Sequence, residues 1–513
     1  MILDDAPERL GPLAQPATAA VGELSELNAV TRTWSGDHTL WRDDPTEVAD
    51  RLGWLTVVPD MITALDGLRR SCAAAVAGVD DVLLMGMGGS SLFPEVLATA
   101  GEPAPGSPRL HVLDTTDPDA IARLGARLDP ARTFHVAASK SGSTLETRSH
   151  LAWAWERNPD PARFGVITDP GSALGELARE RGFAKVWENR PDIGGRYSAL
   201  SLFGVVPGLL AGVDVAALLA SASDMSERLR TAPTANPAAR LAATMAAGVR
   251  QGRDKLTLVV PDAFATFGLW VEQLIAESTG KDGTGVVPIV GEPLGTPDDY
   301  GGDRVFVALA GVARLDALAA AGHPVLVLPF GGRFADLGGQ VLLWELATGL
   351  AGALLGIQPF DQPDVAAAKA ATQKVLAEGP PDLPTTTLDD LLDQVQPGDY
   401  LAIQAFLDPG SPVVERIEAA RVALRDRLKV ATTVGLGPRF LHSTGQLHKG
   451  GAPNGVFVQV VREAGGEDVP IPGQDYGFAT LERAQADGDL VTLADRKRRA
   501  GRVPLEELLR LAP

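Results

Sequence analysis

From about residue 80 onward, short β-rich apolar runs alternate with helical-period stretches of roughly 10–15 residues, the pattern of βα units on a parallel sheet. Val82-Leu83-Leu84-Met85 ends in glycines and precedes a helix-like stretch over 91–98. Leu110-His111-Val112-Leu113 leads through Asp114-Thr115-Thr116-Asp117-Pro118 into a second helix. Thr133-Phe134-His135-Val136-Ala137 leads to Ser139 and a helix reaching about Trp155, and Phe164-Gly165-Val166-Ile167-Thr168 repeats the pattern. A second series begins near residue 236. It places helices over 237–249 and 264–277, strands at 256–260, 305–309 and 325–328, and a long apolar helix over about 339–355. The Pro-rich stretch Gly379-Pro380-Pro381-Asp382-Leu383-Pro384 reads as a surface link. Beyond it, 400–403, 413–428 and 430–434 form one more βαβ-like unit, and residues 474–513, alternating charged and apolar, read as a peripheral extension.

The expected class is therefore α/β: two doubly wound parallel-sheet domains with a C-terminal α/β extension. The division runs as an N-terminal arm over 1–45, a first domain over 46–235, a second over 236–378 and the extension over 379–513. In such sheets ligands lie beyond the carboxyl ends of the strands, where the glycine- and hydroxyl-rich turns gather.

Composition narrows the setting. A chain of 513 residues is too long for one ordinary core, and 45% apolar with 22% charged residues is a globular balance. The formal charge of −19 argues against a nucleic-acid surface, which needs clustered Lys and Arg. It does not exclude a small anion, which helix dipoles and one or two local cations can hold. Cys72 is the only cysteine, so neither an internal disulfide nor a cysteine metal cage is expected, and a reducing cytoplasmic compartment suits it. Met1-Ile2-Leu3-Asp4-Asp5 is acidic without an apolar core, so no signal peptide is expected. No uncharged apolar run reaches the ~20 residues of a membrane span.

Six segments carry candidate chemistry. Gly86-Met87-Gly88-Gly89-Ser90-Ser91 joins a buried strand to a helix, where glycines let backbone amides approach a ligand. It is not a dinucleotide fingerprint, because Ser91 stands where the third glycine belongs; taken alone it reads equally as a tight turn. Ser139-Lys140-Ser141-Gly142-Ser143-Thr144-Leu145-Glu146-Thr147 presents five hydroxyls and one ammonium in nine residues at a helix start. That density suits a phosphate monoester, although a Ser/Thr-rich cap with Glu146 as capping-box acid explains it too. Gly194-Gly195-Arg196-Tyr197-Ser198 lets a planar, always-charged donor lie against a ligand, although by itself it reads as well as a turn with a structural salt bridge. Gln273, Glu277 and Lys281 are spaced by four near a helix end closed by Gly280-Lys281-Asp282-Gly283. A phosphate-loop reading of that Gly-Lys pair fails, because Ile275 and Asp282 break the pattern. Phe360-Asp361-Gln362-Pro363-Asp364-Val365 starts a helix containing Lys369, and His442-Ser443-Thr444-Gly445-Gln446-Leu447-His448 holds two of the seven histidines without the partners of a zinc site.

Together these segments resemble the glucose-6-phosphate isomerase family, whose domains are doubly wound sugar isomerase (SIS) units; the resemblance covers roughly residues 80–450. It implies Gly88, Gly89 and Ser90 as a substrate loop, and Ser139, Lys140, Ser141, Thr144 and Thr147 as phosphate contacts. It implies Arg196 facing an enediolate, Gln273 beside the substrate, Glu277 as the base, Lys369 on its helix and His442 as the ring-opening residue. The order departs from the family's usual one, since Lys369 precedes His442 by 73 positions. In that respect the chain is similar to the isomerase half of transaldolase–isomerase fusions, without room for a preceding barrel. In ordinary members the histidine comes from a partner subunit. The altered order leaves open whether His442 serves its own chain or the partner of a homodimer.

The implied activity is metal-free and cofactor-free interconversion of glucose 6-phosphate and fructose 6-phosphate. Two alternatives stand beside it. An isomerase that also accepts mannose 6-phosphate is disfavoured by Gln273, where dual-specificity relatives tend to differ. A non-catalytic sugar-phosphate sensor would not need Glu277, Arg196, Lys369 and His442 together, and no helix-turn-helix is evident.

Overall fold

The computed structural model describes residues 9–309, 313–383, 386–462 and 468–512, with the side chains of 313 and 364–366 also outside the description. Pro384 of the Pro-rich link, the segment Met1–Asp5 and the side chains of Asp364 and Val365 thus lie outside the described residues.

Among the described residues, three wholly parallel sheets organise the chain. The first has β1 (Asp81–Gly86), β2 (Arg109–Leu113), β3 (Thr133–Ala138), β4 (Phe164–Thr168) and β5 (Lys185–Glu188) in the order 2-1-3-4-5. The second has β6 (Lys255–Val259), β7 (Val287–Ile289), β8 (Arg304–Ala308) and β9 (Val325–Val327) in the order 7-6-8-9. The third has β10 (Tyr400–Phe406), β11 (Ala431–Leu436), β12 (Gly455–Val461) and β13 (Arg499–Arg502) in the order 11-10-12-13. In each sheet the first strand is flanked on both sides, so the chain reverses direction beside it. That reversal opens a crevice at the carboxyl ends. In the first sheet the crevice lies between β1 and β3, whose carboxyl ends lead directly into Gly86–Ser91 and Ser139–Thr147.

Strands β1, β3, β4 and β10 are buried throughout, as expected of parallel strands covered on both faces. One apolar core, with Trp54, Phe93, Trp270, Trp344 and Leu350, runs continuously between the first two sheets. Helix Asp336–Leu355 lies inside it; by length and hydropathy it could cross a membrane, but 94% of its most apolar stretch is buried, as in a core helix. The arm forms helices Ala14–Glu26 and Ala29–Trp34, and Arg9 pairs with Val325 at the edge of the second sheet.

Two expectations for the C-terminal part are overturned. The extension is a full four-stranded unit, because Gly455–Val461 and Arg499–Arg502 add strands to the expected pair. Of the expected peripheral stretch, the described residues 474–512 are not peripheral either. Helix Phe478–Asp495 is buried along most of its length, and Gly488 abuts the backbone of Thr372, so closely that a Cβ there would stand 2.8 Å from the Thr372 nitrogen. The alternating charges that suggested a surface are neutralised internally. Asp489 meets Lys449 at 2.6 Å, and Asp487 receives Arg483 at 3.0 Å and Arg502 at 2.7 Å.

Candidate active site

Helix Ala265–Thr279 carries Gln273 and Glu277 one turn apart, both buried. The amide Nε2 of Gln273 donates to Glu277 Oε2 at 3.0 Å and to the His442 carbonyl at 2.8 Å. The other carboxylate oxygen of Glu277 lies 3.4 Å from a guanidinium nitrogen of Arg196. Arg196 is itself only 2% exposed. Its Nε donates to Ser278 Oγ at 2.7 Å, and its NH2 to the carbonyls of Pro359 at 2.6 Å and Asp361 at 2.9 Å. The planar fork is thus fixed on three sides, with one nitrogen directed at Glu277.

The glycines explain how separate segments come this close. Gly88 has φ +55°, and a Cβ on it would stand 2.8 Å from both Gln273 Nε2 and the His442 carbonyl. A Cβ on Gly89 would stand 2.0 Å from the Gly195 carbonyl. Only bare backbone lets the turn after β1, the Arg196 turn and the His442 turn meet over the helix.

Lys281 does not bind through a phosphate loop. Its ammonium donates to the Gln358 carbonyl at 2.7 Å, the Asp361 carbonyl at 2.7 Å and Asp361 Oδ1 at 2.6 Å. Burial, with Arg196 nearby, brings its pKa down to about 7. The segment Gln358–Asp361 therefore braces both Lys281 and Arg196.

His442 links this centre to the hydroxyl loop. Its imidazole Nε2 lies 2.9 Å from Glu146 Oε1 while its carbonyl holds Gln273. Burial alone would raise the Glu146 carboxyl, but the charge of His442, its hydrogen bond and the charge of Lys369 bring it down to about 2. When the ring is neutral, a carboxylate on Nε2 keeps its proton there and leaves Nδ1 with the lone pair. Glu146 is thus not a capping-box acid. Its side chain turns into the protein, and the cap residue Thr144 makes no side-chain cap bond. A cavity of about 230 Å³ opens beside it, lined by Ser143, Leu145, Glu146, Lys369, His442 and Gln485 among others.

The hydroxyl loop wraps the N-terminus of helix Leu145–Arg157. Ser139 Oγ lies 2.9 Å from Thr144 Oγ1 and accepts from the Gly142 amide at 3.2 Å, and Ser141 Oγ lies 3.0 Å from Ser143 Oγ. The Thr144 side chain does not cap the helix, which leaves first-turn amides for an anion to take. Thr147 Oγ1 is buried without a partner. Lys140 is turned aside, since its ammonium is held by Asp169 and by the Pro191 carbonyl at 2.7 Å. Ser90 is buried in the turn after β1.

The sequence missed Glu146 as the partner of His442, Ser278 as a brace of Arg196, and Gln485 altogether. Glu146 sat in a motif that had already been given a complete local reading. Gln485 sat in a helix with no motif. Among the described residues no group of three or more His, Cys, Asp or Glu could hold a metal ion.

Residues 55–290 match the family model described as phosphoglucose isomerase. That match contains Gly88, Ser139–Thr147, Arg196, Gln273 and Glu277, and stops before Lys369 and His442. The chain is 32% identical over 354 residues to the glucose-6-phosphate isomerase of Rubrobacter xylanophilus, covering 58% of this chain and 82% of that protein. It is 38% identical over 211 residues to that of Synechococcus sp. strain JA-3-3Ab, covering 39% of this chain and 40% of that one. The alignment thus spans less than half the length of some curated relatives. A hypothetical protein from Thermus thermophilus superposes with TM-score 0.61 at 27% identity, covering 74% of this chain and 100% of that one. A glucose-6-phosphate isomerase from Chlamydia trachomatis has the same fold, with TM-score 0.58 at 19% identity over 71% of this chain and 86% of that one.

Proposed function

The chain belongs to the glucose-6-phosphate isomerase family, and from that premise we propose that it interconverts glucose 6-phosphate and fructose 6-phosphate, with Glu277 carrying the proton. The observation that carries this reading is the convergence of Arg196 and Gln273 on the two oxygens of Glu277, with His442 of the same chain bonded to that Gln273.

The phosphate would anchor at the uncapped helix start, on the amides there and the hydroxyls of Ser139, Ser141, Thr144 and Thr147, fixing the distant carbons by orientation. His442 would open the ring by moving a proton from O1 to O5, with Glu146 stabilising the transient imidazolium and Lys369 facing the same cavity. Glu277 would then take the proton from C2 and return it to C1, and the intervening enediolate charge would fall to Arg196. Gly88, Gly89 and Ser90 would line the sugar side. Lys140, paired with Asp169, would shape the loop and not grip the phosphate directly.

The proposed division keeps 46–235 and 236–378 as the two sugar-binding units, with 379–513 supplying His442. Because that segment belongs to the same chain, each chain would hold a full set of groups, whether or not it pairs into a homodimer. The reaction would belong to glycolysis and gluconeogenesis, and a single buried thiol suits a cytoplasmic setting. The net charge of −19 argues against a nucleic-acid partner.

Assaying glucose, fructose and mannose 6-phosphates on one preparation tests the reading. Interconversion of the first two, with mannose 6-phosphate turned over far more slowly, is expected. Absence of any interconversion would overturn it.

A further inference from the structure

Helix Phe478–Asp495 lies beyond the family match and contributes no group to the steps above, yet it sends one side chain into the cavity beside His442. We propose that Gln485 is a positioning residue, which holds the Glu146 carboxylate in register with the His442 imidazole. The proposal rests on the isomerase reading and names a device that serves its ring-opening step.

Gln485 is 2% exposed, and both ends of its amide are occupied. Its Nε2 donates to Glu146 Oε1 at 2.7 Å, and its Oε1 accepts from Thr116 Oγ1 at 2.7 Å. The direction of the amide is set by chemistry: an ionised carboxylate only accepts, so the amide nitrogen must face Glu146 and its oxygen the Thr116 hydroxyl. The same oxygen of Glu146 also faces His442 Nε2 at 2.9 Å. One carboxylate oxygen thus meets two nitrogens from different elements, which fixes the carboxylate plane relative to the ring.

The supporting helix cannot drift. Asp489, one turn on, pairs with Lys449 in the helix that follows His442, and both are essentially inaccessible to solvent. Gly488 lies against the backbone of Ala371 and Thr372, on the helix that carries Lys369. Gln485 therefore stands on an element locked to both neighbours of the cavity.

The physical role follows from the charge changes of ring opening. When His442 accepts a proton from the sugar it becomes a cation, and Glu146 must stay ionised to stabilise it. A donor on Glu146 favours its charged form and lets the proton pass on to the ring oxygen rather than stop at the carboxylate. Removing the amide would leave a buried carboxylate with one donor fewer and freedom to rotate away from the ring.

The test is steady-state kinetics of Gln485→Ala with glucose 6-phosphate carrying hydrogen or deuterium at C2, with the thermal melt recorded beside it. A folded variant with kcat lowered by about tenfold or more, KM within about twofold and an isotope effect no larger than wild type is expected. Slower ring opening masks the C–H step, whereas damage at Glu277 would expose it. Unchanged kcat, or a loss accompanied by a raised isotope effect, would overturn the proposal. Gln485→Glu provides a second arm should the alanine variant not fold. Its new carboxyl can donate to Glu146 only while protonated, so activity should fall as pH rises in a limb that wild type lacks; a wild-type profile would overturn it. Glu277→Gln is run in parallel. If that variant turns over normally the isomerase reading itself fails; if it is dead while both Gln485 variants behave as wild type, only the present inference fails.

Discussion

Glu277 is a helix-end carboxylate, a kind of group that usually faces solvent, and here both of its oxygens are engaged inside the protein. What distinguishes it is Arg196, which cannot relax because Ser278 and two backbone carbonyls hold its remaining nitrogens. Arg196→Lys keeps the charge and loses the fork. A kcat loss of roughly 10²- to 10³-fold, with little change in KM, is expected from steady-state assays. Glu146 yields a prediction of a different kind. Its carboxyl sits at about 2 in the folded protein against an ordinary 4.5, so the stability it contributes is present above about pH 4.5 and lost as pH falls towards 2. In Glu146→Gln the fall in melting temperature across that window should be shallower than in wild type. At this scale the sequence showed what one segment holds by itself, the hydroxyl cluster at the start of helix Leu145–Arg157 and the glycines before Arg196. It was silent where the partner lay far away, because Glu146 and His442 are 296 positions apart and nothing local to either announces the other.

One element holds a proposed catalytic group in place without touching Glu277. The short turn Arg439–His442 is clasped to the first sheet's unit by Arg439, which meets Glu95 at 2.8 Å and Asp114 at 2.8 Å. Burial alone would lower Arg439, but those two carboxylates raise it well above its ordinary value, so the cation is permanent. Arg439→Met should cost about 3 kcal/mol in a denaturant titration, since buried Asp114 and half-buried Glu95 lose their cation, and should lower activity by loosening His442. The expected βα rhythm of the first two sheets was legible because parallel strands covered on both faces read as continuous apolar runs. The same rule explains the misses. Arg499–Arg502 is an edge strand whose arginines pair with Asp399 and Gln459, so no apolar run marks it. Helix Phe478–Asp495 buries polar residues in mutual pairs, so a charge pattern that looks solvated is an interior one.

Across the described residues, the turns after β1 and β3, the last turn of helix Ala265–Thr279 and the turn after β11 meet, so the third sheet's unit brings His442 to a site begun by the first two. The altered chain order was visible in the sequence, but its consequence was not. Only the fold shows that Lys369 and His442 of one chain line one cavity. Mixing Glu277→Gln with His442→Ala subunits distinguishes a site built within one chain from one shared between chains. No recovered activity is expected; a site shared across a dimer would restore up to roughly a quarter of wild-type turnover. The central claim, that Glu277 moves the proton between C2 and C1, is tested most directly by NMR of glucose 6-phosphate incubated in deuterium oxide with wild type and with Glu277→Gln. Wild type should place deuterium at C2, while the folded Glu277→Gln variant should place none above background. Deuterium entering C2 at the wild-type rate in that variant would contradict the account.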